Sequence, residues 1–383
     1  MIKWFLFVFL ILLSISNSGY AQKSLMLDDV FIDDAQIAIQ QAYNREYVAS
    51  VRSMQEWREE HTENPIWILW PVFEHWWPII ADLTDTRNDE VFVRVIRNSI
   101  SYAETIGPND DYYVDALIVR AISHAFWGRL QSNRGQWLRS FRNARRAMSI
   151  LQDITEIAPD HPDIPFADGM TLYFAAFLLD EYPAARAFSF MLPKGDRAKG
   201  LVIVEQVANE GIFFRVESIY FLGHIYLHYE RQAATAMSFL ENLYTEHPQN
   251  PYYARLLART YFRQNQFFKA SEIIERALEE AEGRRGLEYA ALREEMLYMR
   301  GRIAAHDNNL AQAIHYFELS RQESKGLFDT GKRRVELMSA YYQALLHIDR
   351  GEIENARRLL RWVSQSGADS PFVRSSRQRL ESL

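Results

Sequence analysis

Tyr220-Phe221-Leu222-Gly223-His224-Ile225-Tyr226 and Leu257-Ala258-Arg259-Thr260-Tyr261 carry one pattern: a leucine, a small residue, then a tyrosine three positions on. The two copies stand thirty-five residues apart, and the small residue returns at Gly301 and Ala344. Twelve positions after the four small residues come Thr235, Ala270, Ala313 and Ala356, and four further on Phe239, Ile274, Phe317 and Leu360. Small residues let two helices approach, and a bulky neighbour fills the layer beside them. A unit of this length that repeats is a helical hairpin that cannot bury its own apolar face, so copies must stack. The stretch 217–372 therefore predicts an all-α, right-handed α-α superhelix.

Composition narrows the rest. The chain has 383 residues and is 48% hydrophobic, which is ample for a core. A net charge of −7 argues against general nucleic-acid binding. The absence of cysteine removes disulfides, thiolate metal sites and cysteine nucleophiles. Lys3, the apolar run 4–13 and the small residues up to Gly19-Tyr20-Ala21 read as a signal peptide over residues 1–21. Its removal takes away one lysine and leaves a charge of −8. No later segment is long and apolar enough to span a bilayer. Export without disulfides fits a bacterial periplasm, or association with an outer membrane.

Three regions are expected: the signal peptide, an irregular helical part over 22–211, and the repeat array over 212–383. Asp28, Asp29, Asp33 and Asp34 suit the start of a helix, where the dipole favours negative charge. Helices are predicted over 89–105, 110–130, 135–156, 168–179 and 197–209, with a short one bracketed by Pro183 and Pro193. In the third of these, Trp137, Phe141, Ala144, Met148 and Leu151 are expected to form the buried face. The later repeats are longer by about eight residues, which the sequence assigns to extended helices around Gly283, Gly286 and Gly326.

The second half resembles tetratricopeptide-repeat proteins. Over 64–263 the chain resembles, more narrowly, a group of secreted bacterial tetratricopeptide-repeat proteins, distantly similar to eukaryotic tetratricopeptide family-39/Iml2-like proteins. That likeness rests on Asn64-Pro65 with Trp76-Trp77, on Gly128 with Gly135-Gln136-Trp137, and on Asp168-Gly169-Met170-x-Leu172-Tyr173. Leu192-Pro193-Lys194-Gly195-Asp196-Arg197-x-x-Gly200-Leu201 and Glu217-x-x-Tyr220-Phe221-Leu222 complete it. Thr235 departs from the pattern, at a position where alanine is usual. The resemblance implies a binding protein, no catalytic residues and a concave face lined by the first helix of each hairpin.

That face would carry Tyr220, His224 and His228, then Tyr252, Arg255, Arg259, Phe262 and Arg263, then Tyr298, Arg302 and His306, then Tyr341. Arg255, Arg259 and Arg263 fall at i, i+4 and i+8, a single stripe. Guanidinium forks suit carboxylates, and tyrosines offer flat amphipathic contact. An extended acidic peptide or a C-terminal carboxylate would fit. An ordinary solvated face, paired with nearby glutamates, has the same composition.

Other motifs carry less. Arg129, Arg134, Arg139, Arg142, Arg145 and Arg146 form a run with no acidic residue between Asp115 and Asp153, either a site for an acidic partner, anionic lipid head groups or a cell-wall polymer, or a solvated face. Trp67, Trp70, Trp76 and Trp77 near Glu74 and His75 could stack a sugar, but such clusters are usually core. His224 and His228 share a face without a carboxylate set for a metal, so no metal or other cofactor is expected. Gly195-Asp196-Arg197 lacks the Lys-Ser/Thr of a phosphate loop; Gly195 suits a tight turn and Asp196 a helix cap.

The sequence thus predicts a non-catalytic periplasmic scaffold that captures a protein or peptide segment of the cell envelope in its concave groove. It would bind no nucleic acid. An envelope glycan or polymer binder, or an all-helical glycan-acting enzyme with Glu74 and Asp82 as acids, are the alternatives.

Overall fold

A computed structural model of the chain describes residues 24–181, 194–327 and 332–383. The predicted signal peptide and the short helix between Pro183 and Pro193 lie outside the described residues. Those residues hold eighteen α-helices and no strand. In order they are α1 (Asp29–Tyr43), α2 (Tyr47–Ser53), α3 (Gln55–Glu60), α4 (Leu69–Ala81), α5 (Asp89–Ala103), α6 (Tyr113–Asn133), α7 (Trp137–Ile157), α8 (Pro165–Glu181) and α9 (Arg197–Glu210). There follow α10 (Arg215–His228), α11 (Ala233–Glu246), α12 (Pro251–Arg263), α13 (Phe267–Glu280), α14 (Leu287–His306), α15 (Leu310–Ser324), α16 (Arg334–Asp349), α17 (Ile353–Ser364) and α18 (Pro371–Glu381). The fold is all-α, built from stacked helical hairpins.

The repeat has a tight geometric basis. In three hairpins the first helix ends five residues after its small residue, at Arg263, His306 and Asp349. A three-residue turn follows, and the central residue has positive φ: 56° at Asn265, 60° at Asn308 and 74° at Gly351. Asparagine and glycine tolerate this left-handed conformation better than other residues. The second helix then begins, and its fourth residue is the small one: Ala270, Ala313 and Ala356 are all fully buried. Gly301 shows the close approach most plainly, since a Cβ there would meet the Phe317 ring at 2.7 Å.

The first hairpin corrects the sequence reading. Its turn, between His228 and Ala233, is one residue longer. Ala236, not Thr235, is the buried small residue, and Leu240, not Phe239, packs on Gly223, where a Cβ would lie 2.7 Å from Leu240 Cδ2. The apparent departure at Thr235 is a shift of register by one.

The same device recurs earlier, where sequence alone did not read it. Ala38 and Ser50 stand twelve apart, both fully buried, across a turn with Arg45 at φ 68°. Ser50 Oγ donates to Ala38 O at 2.7 Å. Gly128 and Ser140 stand twelve apart across Gly135 at φ 69°.

The chain divides into two compact units. One takes the described residues up to Trp76 with Asp89–Ser218; the other takes Trp77–Asn88 with Ile219–Leu383. In the first, buried Asp115 accepts from Ser24 Oγ at 2.7 Å, Leu25 N at 3.0 Å, Met26 N at 3.1 Å and Asn64 Nδ2 at 2.7 Å. It thereby ties the start of the described chain to α6. Trp76 is 2% exposed and meets Phe92 and Phe126. Asp163 accepts the backbone amides of Ile212, Phe213 and Phe214. The α8 and α9 backbones touch at Gly169 and Gly200, where a Cβ on Gly200 would lie 2.6 Å from Tyr173 N. Gly195 is required for the same reason rather than for a turn, its Cβ position falling 2.2 Å from Ala176 N. Asp196 caps α9 as expected, accepting from Lys199 N at 3.0 Å.

Helix α7 differs from its prediction. Its buried residues are Asn143, Ala147, Ile150 and Ile154. Trp137 is 68% exposed and Phe141 38%. The aliphatic face packs on Leu117 and Ala121 of α6, while Asn143 links His124 and Gln131 at 2.9 and 2.8 Å. A buried asparagine is tolerable because both ends of its amide are paired. Ala144 is also exposed, while Met148 and Leu151 are half-buried, Leu151 against the Ile150 and Ile154 cluster, so the face expected from periodicity is rotated from the buried one.

In the second unit, Trp77 is 7% exposed and meets Tyr253 edge-on at 5.8 Å. Arg333 binds Asp82 and forks onto buried Glu294 with two contacts of 2.8 Å. Ser324 Oγ donates to Glu294 Oε1 at 2.6 Å. Burying these charges is tolerable only because each is paired and hydrogen-bonded. The segment 77–88 is held to α14 and α16 by this cluster. Gly283 and Gly286 lie in a loop between α13 and α14 rather than inside long helices. The added length of that repeat is this loop together with α14, which has 20 residues.

Candidate functional site

Helices α12, α14 and α16, the first helices of successive hairpins, pack side by side in the second unit. Asn250 caps α12 by accepting from Tyr252 N and Tyr253 N, and Pro251 fills its first position. The cap fixes the rotation of α12, so that its arginine stripe meets α14.

The stripe does not behave as three equal residues. Arg255 donates Nε to Glu295 Oε2 at 3.1 Å and Nη1 to Ala81 O at 2.6 Å. Arg259 forks onto both oxygens of Glu295 at 2.6 Å. Burial opposes the charge on Glu295, yet the guanidiniums of Arg259 and Arg255 hold its carboxyl at about 2. Arg263, one turn on, is exposed and makes no ion pair with a described residue. Burial of its inner part and the guanidiniums of Arg259 and Arg334 push its pKa below the ordinary arginine value, against the pull of Glu295. Arg334, at the start of α16, is likewise exposed and without an ion pair among the described residues.

Beside this cationic spot lie aromatic residues. Tyr298 is 5% exposed and accepts from Arg302 Nη1 at 3.0 Å. Burial pushes its phenol up to about 12. The Arg302 guanidinium sits 3.8 Å from the centre of the Tyr342 ring and 5.9 Å from that of Phe262. Delocalised cations favour such placement over aromatic faces. Tyr341 instead packs against Phe372 of α18, ring centres 5.5 Å apart and planes tilted by 59°.

At the other side, Tyr220 OH and Tyr252 OH are 3.0 Å apart, and the Tyr220 and His224 rings lie 4.6 Å apart. The His224 and His228 ring centres are 5.1 Å apart. Burial first, then Arg263 and Arg259, push His228 below its usual value. His306 packs against Phe267 at 4.7 Å. Among the described residues, no group of three or more histidines and carboxylates is placed to hold a metal.

Sequence reasoning identified Arg255, Arg259, Arg263, Tyr298 and Arg302, and the structure brings them onto adjoining helices. It missed Glu295, Tyr342 and Arg334. Glu295 lies on the same helix as Tyr298, three residues before it, and an i−3 scan would have found it. Arg334 carries no local signal, because its relevance comes only from where α16 begins.

A tetratricopeptide-repeat family pattern matches residues 227–295. That stretch runs from the end of α10 to Glu295 and contains the arginine stripe. No curated protein matches the chain. Among solved structures, a human IFIT1 dimer with m7Gppp-AAAA is 14% identical, covers 93% of this chain and 86% of that one, and has a TM-score of 0.33. The yeast Tom70 crystal structure is 10% identical, covers 93% and 88%, and has a TM-score of 0.31.

Proposed function

We propose that the protein is a non-catalytic scaffold that captures an acidic segment of a partner protein on the shared face of α12, α14 and α16. The observation that carries this reading is the imbalance of charge there. Arg255, Arg259, Arg263, Arg302 and Arg334 stand on adjoining helices, and Glu295 takes only the first two. Arg263 and Arg334 have no carboxylate of their own among the described residues, and the Arg334 guanidinium adds to the repulsion on Arg263. A partner carboxylate entering there would relieve that repulsion and gain charge-assisted hydrogen bonds. Tyr342 and Phe262 hold Arg302 on the same helices and supply flat apolar contact. The reading extends to the cell envelope: the leader-like residues 1–21 and the lack of cysteine support export to a periplasm, with the partner located there.

The test is a titration of the chain with a short glutamate-rich peptide, beside a serine-glycine peptide of equal length. Binding of the acidic peptide alone, weakened at least tenfold by Arg263→Ser with Arg334→Ser, is expected. Equal binding of both peptides, or no effect of the double change, would defeat the reading. Trp76 and Trp77 are buried and offer no face to a sugar ring, which weighs against the glycan reading at those two residues.

A further inference from the structure

Helix α7 presents a second surface, in the first unit and unrelated to the arginine stripe. Opposite its buried Asn143, Ala147, Ile150 and Ile154 stand Trp137, Leu138 and Phe141, which are 68%, 81% and 38% exposed. Trp137, Phe141 and Arg145 form one i, i+4, i+8 row, and Leu138 and Arg142 the next. Arg142, Arg145 and Arg146 are exposed and form no ion pair with a described residue. No acidic residue occurs from 116 to 152 to neutralise them. Other exposed apolar residues in the unit, such as Val30, Ile37, Tyr102 and Val202, lie on other helices. On α7, bulky apolar side chains stand at Trp137, Leu138 and Phe141, and exposed arginines at Arg139, Arg142, Arg145 and Arg146.

We propose that this face of α7 docks on an anionic lipid surface, with Trp137, Leu138 and Phe141 entering the headgroup boundary and Arg142 and Arg145 meeting lipid phosphates. Interfacial helices combine tryptophan, phenylalanine and leucine with basic residues in this way, and they need no matching protein shape. Three apolar side chains fall far short of the roughly 20–30 residues a side that a stable protein interface uses. A lipid leaflet can be held by a few insertions plus electrostatic attraction, each arginine near the surface strengthening binding by about fivefold. Weak, reversible attachment follows.

The experiment uses the form spanning 22–383, which contains every described helix and lacks the apolar residues 4–13 that would themselves bind lipid. Because the chain has no cysteine, Leu138→Cys carries a single environment-sensitive fluorophore. Sedimentation with phosphatidylcholine vesicles, with and without phosphatidylglycerol, reads binding. Expected are binding to the anionic vesicles only, a blue shift of the label, and at least a tenfold loss with Arg142→Glu plus Arg145→Glu. Trp137→Ser with Leu138→Ser should also release the protein. All these residues are exposed, and an unchanged Tm verifies that each variant folds. The Arg263→Ser, Arg334→Ser form should bind vesicles as before, which separates this result from the peptide-binding face. Indifference to phosphatidylglycerol, or unchanged binding by the α7 variants, overturns the proposal. So does a vesicle-inert protein whose self-association, or capture of an acidic peptide, depends on Trp137 and Arg142.

Discussion

Glu295 holds Arg259 through both carboxylate oxygens, each contact 2.6 Å long. The fork joins α12 to α14 at the centre of the candidate binding face. One carboxylate thus satisfies two guanidiniums of the stripe, Arg255 and Arg259, and leaves the third, Arg263, for something else. Two consequences for measurement follow from that arrangement.

Glu295→Gln removes the negative charge from between two partly buried arginines. Breaking a buried pair from one side costs about 3–5 kcal/mol. Urea unfolding of the variant should show a loss of that order. The native carboxyl sits at about 2 when folded against 4.5 when free, so its stabilisation is complete above pH 4.5 and fades as pH falls toward 2. The gap between native and variant stability should therefore narrow across that window and stay constant above it.

His228 predicts the pH dependence of ligand capture. Burial, Arg263 and Arg259 keep it below its usual value of 6.5 in the free protein. A bound carboxylate favours the protonated ring, so binding takes up a proton and tightens as pH falls below about 6.5. Titration of the glutamate-rich peptide from pH 8 to pH 5 should show this increase. The dependence should flatten in His228→Gln.

Asp115→Asn places an amide donor where four donors converge on a buried carboxylate. Donor facing donor leaves buried hydrogen-bonding groups unpaired, at about 1–3 kcal/mol each. Thermal unfolding should fall clearly, and Ser24, Leu25 and Met26, all below 4% exposed in the native fold, should become accessible to protease. Native-like resistance at that end would show that other contacts hold it.

Gly301→Ala and Gly223→Ala should differ. At Gly301 the new methyl meets the fully buried Phe317 ring at 2.7 Å, and overpacking costs about 1–3 kcal/mol. At Gly223 it meets the end of the Leu240 side chain, which can rotate. The gain of about 1 kcal/mol in helix propensity then offsets much of the strain. Equal Tm losses for the two would contradict the packing described for them.

The sequence by itself determined that the chain is all-α and built from stacked hairpins. Gly301, Ala313 and Phe317 announce their packing through spacing alone, because contacts within a hairpin are local and repeat with the helical period. The same locality put Arg255, Arg259 and Arg263 on one stripe. It could not decide which face of α7 is buried, since aromatic and aliphatic rows have the same period and only the surface of α6 chooses between them. Nor could it separate Thr235 from Ala236, because one extra turn residue shifts the register without altering composition. The pairing of Glu295 with two arginines, and the company of Arg334 and Arg263, were left to the tertiary structure. Those partners come from different hairpins, and electrostatics between hairpins depends on distances that no periodicity within one helix encodes.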